Sequence, residues 1–346
     1  MSNTDSGVSA RFAGVFVQTN DVSANQVLAF RRREDGSLDE LDAVATGGVG
    51  LGAPHLTSQG SVLVTGDGAH LLVANAGSDD IAVFALEEAG PRLIQTIDAG
   101  GRPTSVTEHE GLVYVLVTAE PAVVGFRLGT QGLEPIDESR RVLAVGADPA
   151  QVGFSPDGAT LLVTQRGTDS IVTFAVDHAG HLATAQEIPS SGPTPYGFTF
   201  AGPRTLVVTE AFGAKVGAAA ASSYQLGTGL EPTSRSIGNG RSEICWAVSS
   251  LDGRYVFTTN FADGAVSRYQ IAADGSLVLD DAVAATAHDG QTGLRDEDLS
   301  SDGRFLYALD ADSQHIFGWH VEADGKLVPV GSWGGLPATV AGLAAS

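Results

Sequence analysis

Charged residues end or follow several apolar runs of this chain, and their chemistry bears most directly on function. Glu210 ends the run TLVVTE, Arg166 follows TLLVTQ, and Arg295 stands two residues before Glu297. The planar fork of arginine holds a carboxylate or phosphate through two parallel hydrogen bonds. Burial raises the pKa of a carboxyl group, which suits it to general acid or base catalysis. These residue types indicate a site for a small anion.

Glu297 stands at an unusual position for a carboxylate. Aligning the segments LSSDG and FSPDG places Glu297 where Val152 and Val62 lie, and those positions face packed sheet. A buried carboxylate is costly unless it is paired, and Arg295, two residues away on the same strand face, is its natural partner. Glu297 is therefore either a general acid or base, or one half of a structural ion pair.

The elements that position these residues form a repeat. Similar hairpins recur as SVLVTGDGAHLLVAN (61–75), QVGFSPDGATLLVTQ (151–165), WAVSSLDGRYVFTTN (246–260) and DLSSDGRFLYALD (298–310). The Asp-Gly pairs between the two strands predict tight type I′ turns. A third strand and a polar fourth strand follow each hairpin. The repeating unit is thus four short antiparallel strands.

The spacing of the units predicts a seven-bladed β-propeller. Second strands end about 48 residues apart, close to the period of propeller blades, at Asn20, Asn75, Thr118, Gln165, Glu210, Asn260 and Asp310. The first unit lacks an inner strand, and the tail PATVAGLAAS (337–346) supplies it, which closes the ring. An open β-solenoid would instead need capping repeats. We expect a flexible N-terminus over 1–12 and one propeller over 13–346.

Composition excludes several partner classes. The formal charge is −22, from 41 acidic against 19 basic residues, whereas nucleic acids and anionic membranes need a positive face. Cys245 is the single cysteine, so no intrachain disulfide forms. The N-terminus lacks the pattern of a secretory signal, and histidine spacing does not predict a zinc site. We expect a cytoplasmic monomer with no metal, no cofactor, no nucleic-acid partner and no membrane association.

The SPDG-type turn, the V-x-N strand end and the seven blades resemble the lactonase family of seven-bladed propellers. That family includes bacterial 6-phosphogluconolactonases and fungal carboxymuconate cyclases. Family members typically carry His-Pro-His, Gly-Pro-Arg-His and Asn-Arg at blades four, five and six. This chain has Asp148-Pro149-Ala150, Thr194-Pro195-Tyr196-Gly197 and Asn260-Phe261 at those places, and it keeps Glu210, Glu243-Ile244 and Arg295-Asp296.

The resemblance implies a lactonase-like enzyme acting on a small anionic carboxylate, lactone or sugar phosphate in the central channel. The reaction would be lactone hydrolysis, or a related cyclisation or isomerisation. Expected catalytic residues are Glu210, Glu297 and His55, a histidine of the loop LGAPHLTSQG that is otherwise a surface residue. Expected substrate-binding residues are Arg166, Arg241, Arg295, Glu243, Tyr196 and Arg102. The alternative is a non-catalytic binding or interaction module that has lost the family histidines.

Overall fold

Seven antiparallel sheets repeat around a ring in the computed structural model, which describes residues 12–287 and 291–346. In blades two to seven the chain starts at an inner strand and moves outward to a fourth strand, whereas blade one takes its inner strand from the C-terminus. Inner strands of neighbouring sheets contact one another and enclose a central channel. The structure confirms the predicted all-β, seven-bladed propeller of four-stranded blades.

The strand bounds follow the predicted units closely. Blade one contains β1 (Gly14–Gln18), β2 (Gln26–Arg32), β3 (Leu38–Glu40) and the short β4 (Val44–Ala45). Blades two and three contain β5 (Val62–Val64), β6 (His70–Asn75), β7 (Asp80–Glu87), β8 (Gly90–Asp98), β9 (Pro103–His109), β10 (Leu112–Val117), β11 (Ala122–Gly129), β12 (Gly132–Pro135) and β13 (Arg141–Val142). Blades four and five contain β14 (Pro149–Phe154), β15 (Thr160–Gln165), β16 (Ser170–Ala175), β17 (Gln186–Pro189), β18 (Pro195–Ala201), β19 (Thr205–Glu210), β20 (Ala220–Leu226) and β21 (Leu230–Gly238).

The last two blades complete the ring. They contain β22 (Ile244–Ser249), β23 (Tyr255–Asn260), β24 (Ala265–Ile271), β25 (Leu277–Thr286), β26 (Leu294–Leu299), β27 (Phe305–Asp310), β28 (His315–Val321) and β29 (Leu327–Trp333). The final strand is β30 (Ala341–Ala345), and two short 3-10 helices span Phe212–Ala214 and Phe261–Asp263. Among the described residues, no helix is long and apolar enough to cross a membrane.

The core lies between blades rather than at one centre. Apolar clusters join each blade to the next; Leu162 of blade four, for example, packs in one cluster with Phe198 of blade five. Second strands such as β15 are buried along nearly their whole length. Their apolar runs follow from this arrangement, because both faces of a blade are covered by neighbouring blades.

The C-terminal strand closes the ring as predicted. β30 pairs with β1 in the antiparallel register Phe16↔Ala344, which makes it the inner strand of blade one. The main-chain N–H of Gly14 also donates to the Ser346 hydroxyl, whose own proton goes to the Phe12 carbonyl. This closure removes the exposed sheet edges that an open solenoid would leave.

The Asp-Gly turns differ from the prediction. In the SPDG turn, Gly158 N–H donates to the Ser155 carbonyl and only Gly158 has a positive φ, at 68°. Asp157 instead accepts the Ser155 hydroxyl proton at 2.6 Å. A type I′ turn needs positive φ at both central residues, so the predicted turn type is wrong. The observed turn runs from Ser155 to Gly158: the Asp157 side chain bonds to Ser155, and Gly158 is its last residue.

The predicted flexible segment 1–12 lies outside the described residues except for its last member. Phe12 is buried, and its ring centre lies 5.6 Å from that of Phe16.

Candidate functional site

The channel has two ends that differ in chemistry. At the loop end, inner strands begin and second strands finish; at the hairpin end, the turns between those strands lie. The loop 46–61, between β4 and β5, enters the loop end of the channel and carries His55 and Gln59. His55 Nε2 lies 3.1 Å from the Tyr196 hydroxyl of blade five, and the His55 ring centre lies 5.8 Å from that of Trp246 in blade six.

Gln59 crosses the channel below His55. Its side-chain amide donates to the Ala247 carbonyl at 3.0 Å and accepts the Ala247 N–H at 3.2 Å. Its own main-chain N–H donates to the Ala150 carbonyl of blade four at 3.2 Å. One residue of the blade-two loop thus ties blades four and six together across the channel.

Two arginines converge on His55 and Tyr196 at the loop end. The Arg166 guanidinium lies 4.8 Å from the Tyr196 ring centre and donates to the Asp148 carboxylate at 2.7 Å. The Arg295 guanidinium lies 4.1 Å from the Phe261 ring centre and 3.8 Å from the Asp312 carboxylate. Each arginine side chain is only 13% exposed. Aromatic faces attract and orient guanidinium groups, so the rings fix where both cations lie.

The backbone before the inner strands helps to place these groups. Asp148, Thr194 and Glu243 each immediately precede an inner strand and have φ values of 41°, 58° and 53°. Side chains other than glycine pay roughly 1 kcal/mol for this left-handed region. The repeated conformation turns the chain into the channel at blades four, five and six, and it holds Asp148 against Arg166.

Burial keeps the other ionisable groups of the loop end neutral. Burial, together with the charges of Arg295 and Arg166, holds the pKa of His55 well below 6.5. Burial raises the pKa of the Tyr196 phenol and raises that of the Cys245 thiol to about 12. A neutral imidazole therefore faces a protonated phenol. Cys245 stays a thiol, as expected of a buried cysteine that fills space in the core and has no neighbouring base.

Several buried polar atoms at the loop end have no hydrogen-bond partner within residues 12–287 and 291–346. They are His55 Nδ1, Arg295 Nε and Arg241 Nε. Most buried polar groups in native proteins are paired. Unpaired nitrogens on three of the predicted site residues favour a place where a polar ligand binds.

The predicted pairing of Arg295 with Glu297 is wrong. The register of β26 on β27 shifts between Leu294 and Glu297, so a spacing of two no longer keeps two side chains on one face. Arg295 approaches Asp312 instead. Both Glu297 oxygens are buried and lack a hydrogen bond of normal geometry to any described residue.

The three acids of β26 have different surroundings. Burial raises the pKa of Asp296 to about 7, although the Gly342 N–H, the Arg295 charge and Trp246 favour its charged form. Burial likewise raises the pKa of Asp298 to about 7. Burial and the Asp298 charge raise the pKa of Glu297 well above 4.5. Asp296 and Asp298 accept main-chain N–H groups of β30 at 3.2 and 2.9 Å, so they hold the closing strand.

Glu210 points into its own blade rather than toward His55. Its carboxylate accepts hydrogen bonds from Gly192 N–H at 2.8 Å, the Ser222 hydroxyl at 2.6 Å and the Ser236 hydroxyl at 2.7 Å. Asn260, at the same position in blade six, makes similar contacts with Asn239. These bonds link second, third and fourth strands, which is a structural role for the strand-end position.

The remaining predicted substrate-binding residues are Arg241, Glu243 and Arg102. Arg241 is half-buried at the loop end, and its carbonyl accepts the Ala219 N–H. Glu243 is half-buried next to Cys245, whose Sγ lies 3.4 Å from the Glu243 carbonyl oxygen. Arg102 is exposed, and its contacts are made by its main-chain carbonyl. The structure therefore brings together His55, Tyr196, Arg166 and Arg295, and it keeps Glu210 and Arg102 apart from them.

Sequence reasoning missed the role of Gln59 and of the acids that pair with the arginines. The length of the connection 46–61, longer than the other connections into inner strands, was the available signal for an inserted loop. Nothing in the sequence alone marked Asp312 as the neighbour of Arg295. Within the described part of the chain, no group of three or more His, Cys, Asp or Glu side chains is arranged to hold a metal ion.

Comparison with known families fits this architecture. The family model described as "Lactonase, 7-bladed beta-propeller" matches residues 22–142, 106–211 and 204–333. This chain belongs to that lactonase family. No curated protein matches the sequence significantly.

Solved structures repeat the fold of this lactonase-family chain at low identity. The periplasmic gluconolactonase PpgL of Pseudomonas aeruginosa is 18% identical, with a TM-score of 0.74 over 96% of this chain and 98% of that chain. A Bacteroides uniformis protein, itself a candidate 6-phosphogluconolactonase, is 17% identical, with a TM-score of 0.71 over 95% of this chain and 99% of that chain. A Desulfotomaculum acetoxidans protein of unknown function is 14% identical, with a TM-score of 0.73 over 96% and 98%. Identities this low show the fold alone.

Proposed function

We propose that this chain hydrolyses a small anionic lactone at the loop end of its channel. The observation that carries the proposal is the convergence of Arg166 and Arg295, from blades four and seven, on the hydrogen-bonded pair of His55 and Tyr196. Family membership supports the same class of reaction.

Arg295 is the better candidate to take a new anion. Its guanidinium lies 3.8 Å from Asp312, and its Nε has no partner among the described residues. Arg166 is held more firmly, because both the side chain and the main-chain carbonyl of Asp148 accept its protons, at 2.7 and 3.3 Å. We assign Arg295 to binding of the substrate anion and Arg166 to orientation and charge stabilisation.

The neutral imidazole of His55 supplies the base. It takes a proton from water as the water oxygen bonds to the lactone carbonyl carbon, and an arginine stabilises the resulting oxyanion. The ring C–O bond then breaks, and the imidazolium returns its proton to the leaving oxygen, which leaves a hydroxy acid. The Tyr196 hydroxyl orients the imidazole from Nε2.

Substrate binding makes His55 a stronger base. The charges of the two arginines lower its pKa in the free protein, and a bound anion offsets part of that field. The imidazole is therefore neutral when the anion binds, and it then accepts a proton from water more readily. The same groups serve the reverse cyclisation of a hydroxy acid by microscopic reversibility.

The first test is hydrolysis of a six-carbon aldonolactone, with and without a terminal phosphate, followed by acid release and corrected for the spontaneous rate. His55→Gln should lower kcat by roughly 100-fold or more. His178→Gln changes an exposed histidine of an outer turn and should leave kcat unchanged. Equal loss in both variants, or no loss in either, would reject His55 as the base.

The alternative of a binding module remains measurable in the same material. Arg166 and Arg295 already neighbour acids at the rim, as they would in a scaffold. Saturable binding of phosphorylated aldonic acids without turnover of any lactone would favour that alternative over the enzyme.

A further inference from the structure

A cavity lies at the hairpin end of the channel, below Gln59. Its volume is about 290 Å³, roughly twice the ~150 Å³ of an engineered protein cavity that binds benzene. The inner strands of blades one to five and seven contribute lining residues. The lining includes Gln59 but none of the loop-end residues His55, Tyr196, Arg166 and Arg295, so this cavity is distinct from the site at His55.

The ionisable groups that line this cavity are all acids. Asp298 and Glu297 both line it, and the described residues that line it include no arginine, lysine or histidine. The Asp298 carboxylate accepts the main-chain N–H groups of Leu299 and Ala345, each at 2.9 Å. Neither Glu297 oxygen has a hydrogen bond of normal geometry to a described residue, although the Thr259 main-chain N–H approaches the carboxylate. Glu297 is only 3% exposed, and because burial of an unpaired charge is costly, a bound cation would stabilise the charged forms of both carboxyl groups.

The rest of the lining is suited to an apolar body with a positive group. Phe154, Phe198 and Phe200 line the same cavity, and the faces of aromatic rings attract cations. The two glutamine amides in the lining are already engaged by main-chain groups: Gln151 bonds both the N–H and the carbonyl of Phe198, at 2.6 and 3.1 Å. They therefore offer little to an anion.

We propose that the hairpin-end cavity binds a small organic ammonium ion, with its positive nitrogen toward Asp298 and its apolar part against the phenylalanine rings. The two ends of the channel would then select ligands of opposite charge, an anion at Arg295 and a cation at Asp298. This inference does not depend on the lactonase reaction, because it rests on residues that the reaction does not use.

Calorimetric titration of the full-length protein with phenethylammonium tests the proposal. The neutral 2-phenylethanol and the anionic phenylacetate are matched probes of similar shape. We expect saturable one-site binding of the cation, at least 10-fold weaker binding of the alcohol and none of the anion. Equal affinity for cation and alcohol would overturn the proposal, since the carboxylates would then contribute nothing.

Two variants locate the binding site. Asp298→Asn should weaken phenethylammonium binding by 10-fold or more, whereas Asp281→Asn, which removes the charge of an exposed acid that also accepts a main-chain N–H, should not. Phe200→Leu keeps an apolar side chain without the ring and should weaken binding by about 2- to 30-fold, the range expected for a cation–π contact. If Asp298→Asn loosens the closing strand, Phe200→Leu decides alone. Unchanged affinity in Phe200→Leu, with the fold intact by circular dichroism, would overturn the assignment.

Discussion

Replacing Glu297 by methionine should stabilise the protein, although Glu297 belongs to the native sequence. Glu297 is 3% exposed, and neither of its oxygens has a hydrogen bond of normal geometry to a described residue; the Thr259 main-chain N–H favours its charged form but does not outweigh burial. The residues at the same position in the other inner strands are apolar, namely Leu343, Val62, Val106, Val152, Phe198 and Ala247. Methionine has a similar length and needs no hydrogen bond, so removing an unsatisfied buried group should add about 1–3 kcal/mol to the free energy of unfolding.

The difference in the free energy of unfolding between Glu297→Met and the wild type should grow with pH. The folded-state pKa of Glu297 is raised well above 4.5 by burial and by the Asp298 charge, so above pH 4.5 the folded protein holds a proton that the unfolded chain releases. The resulting penalty is absent below pH 4.5. It increases by about 1.4 kcal/mol per pH unit until the pH reaches the folded-state pKa. The wild type should therefore lose stability relative to Glu297→Met as the pH rises above 4.5.

Denaturant unfolding of wild type and Glu297→Met at several pH values measures this difference. Glu297→Gln is the control: it removes the titration but keeps a polar group, so it should flatten the pH dependence without the gain at pH 5. Contributions from Asp296 and Asp298 are common to all three proteins. A methionine variant that is less stable than wild type at every pH would refute the reasoning, because Glu297 would then be stabilised by a partner.

Three further perturbations have defined outcomes. Arg295→Gln removes a positive neighbour that lowers the pKa of His55, so the acid limb of the kcat/KM profile should move to higher pH; an unmoved limb would separate Arg295 from the base. Glu210→Ala removes three hydrogen bonds and should cost at least about 2 kcal/mol of stability, while kcat/KM per folded molecule stays within about 2-fold; a selective loss of kcat would instead make Glu210 catalytic. Deleting 341–346 removes the strand paired with β1 and should abolish cooperative thermal unfolding, whereas a ring that melts normally without it would contradict the closure.

The sequence alone could predict the architecture because the repeat places its markers at fixed distances. Each second strand ends at or within two residues of its predicted position, for example at Asn75, Gln165 and Asn260. The unpaired first unit and the unpaired tail identified the closing strand. The turn type was harder to predict, since Asp157 accepts a hydrogen bond from the Ser155 hydroxyl and does not adopt a positive φ.

The site could be predicted only in part, because its contacts are not local. The alternation of side chains placed Arg295 beside Glu297, and one register shift in β26 separates them. The strand-end position of Glu210 was correct, but its direction depends on Ser222 and Ser236, which lie on other strands. The position of Gln59 depends on the path of a whole loop across the channel, and no pattern in the sequence encodes that path.

A crystal structure with a bound phosphorylated aldonic acid, the product of the proposed hydrolysis, would test the central claim most directly. We predict the phosphate at the Arg295 guanidinium and the carboxylate within hydrogen-bond distance of His55 or Tyr196, with both lost in a variant carrying Arg166→Gln and Arg295→Gln. Arg268→Gln is the matched control, since Arg268 is 14% exposed, bonds Asp280 and lies 5.5 Å from the Tyr255 ring centre. An anion bound outside the loop end, or bound equally in the double variant, would contradict the claim.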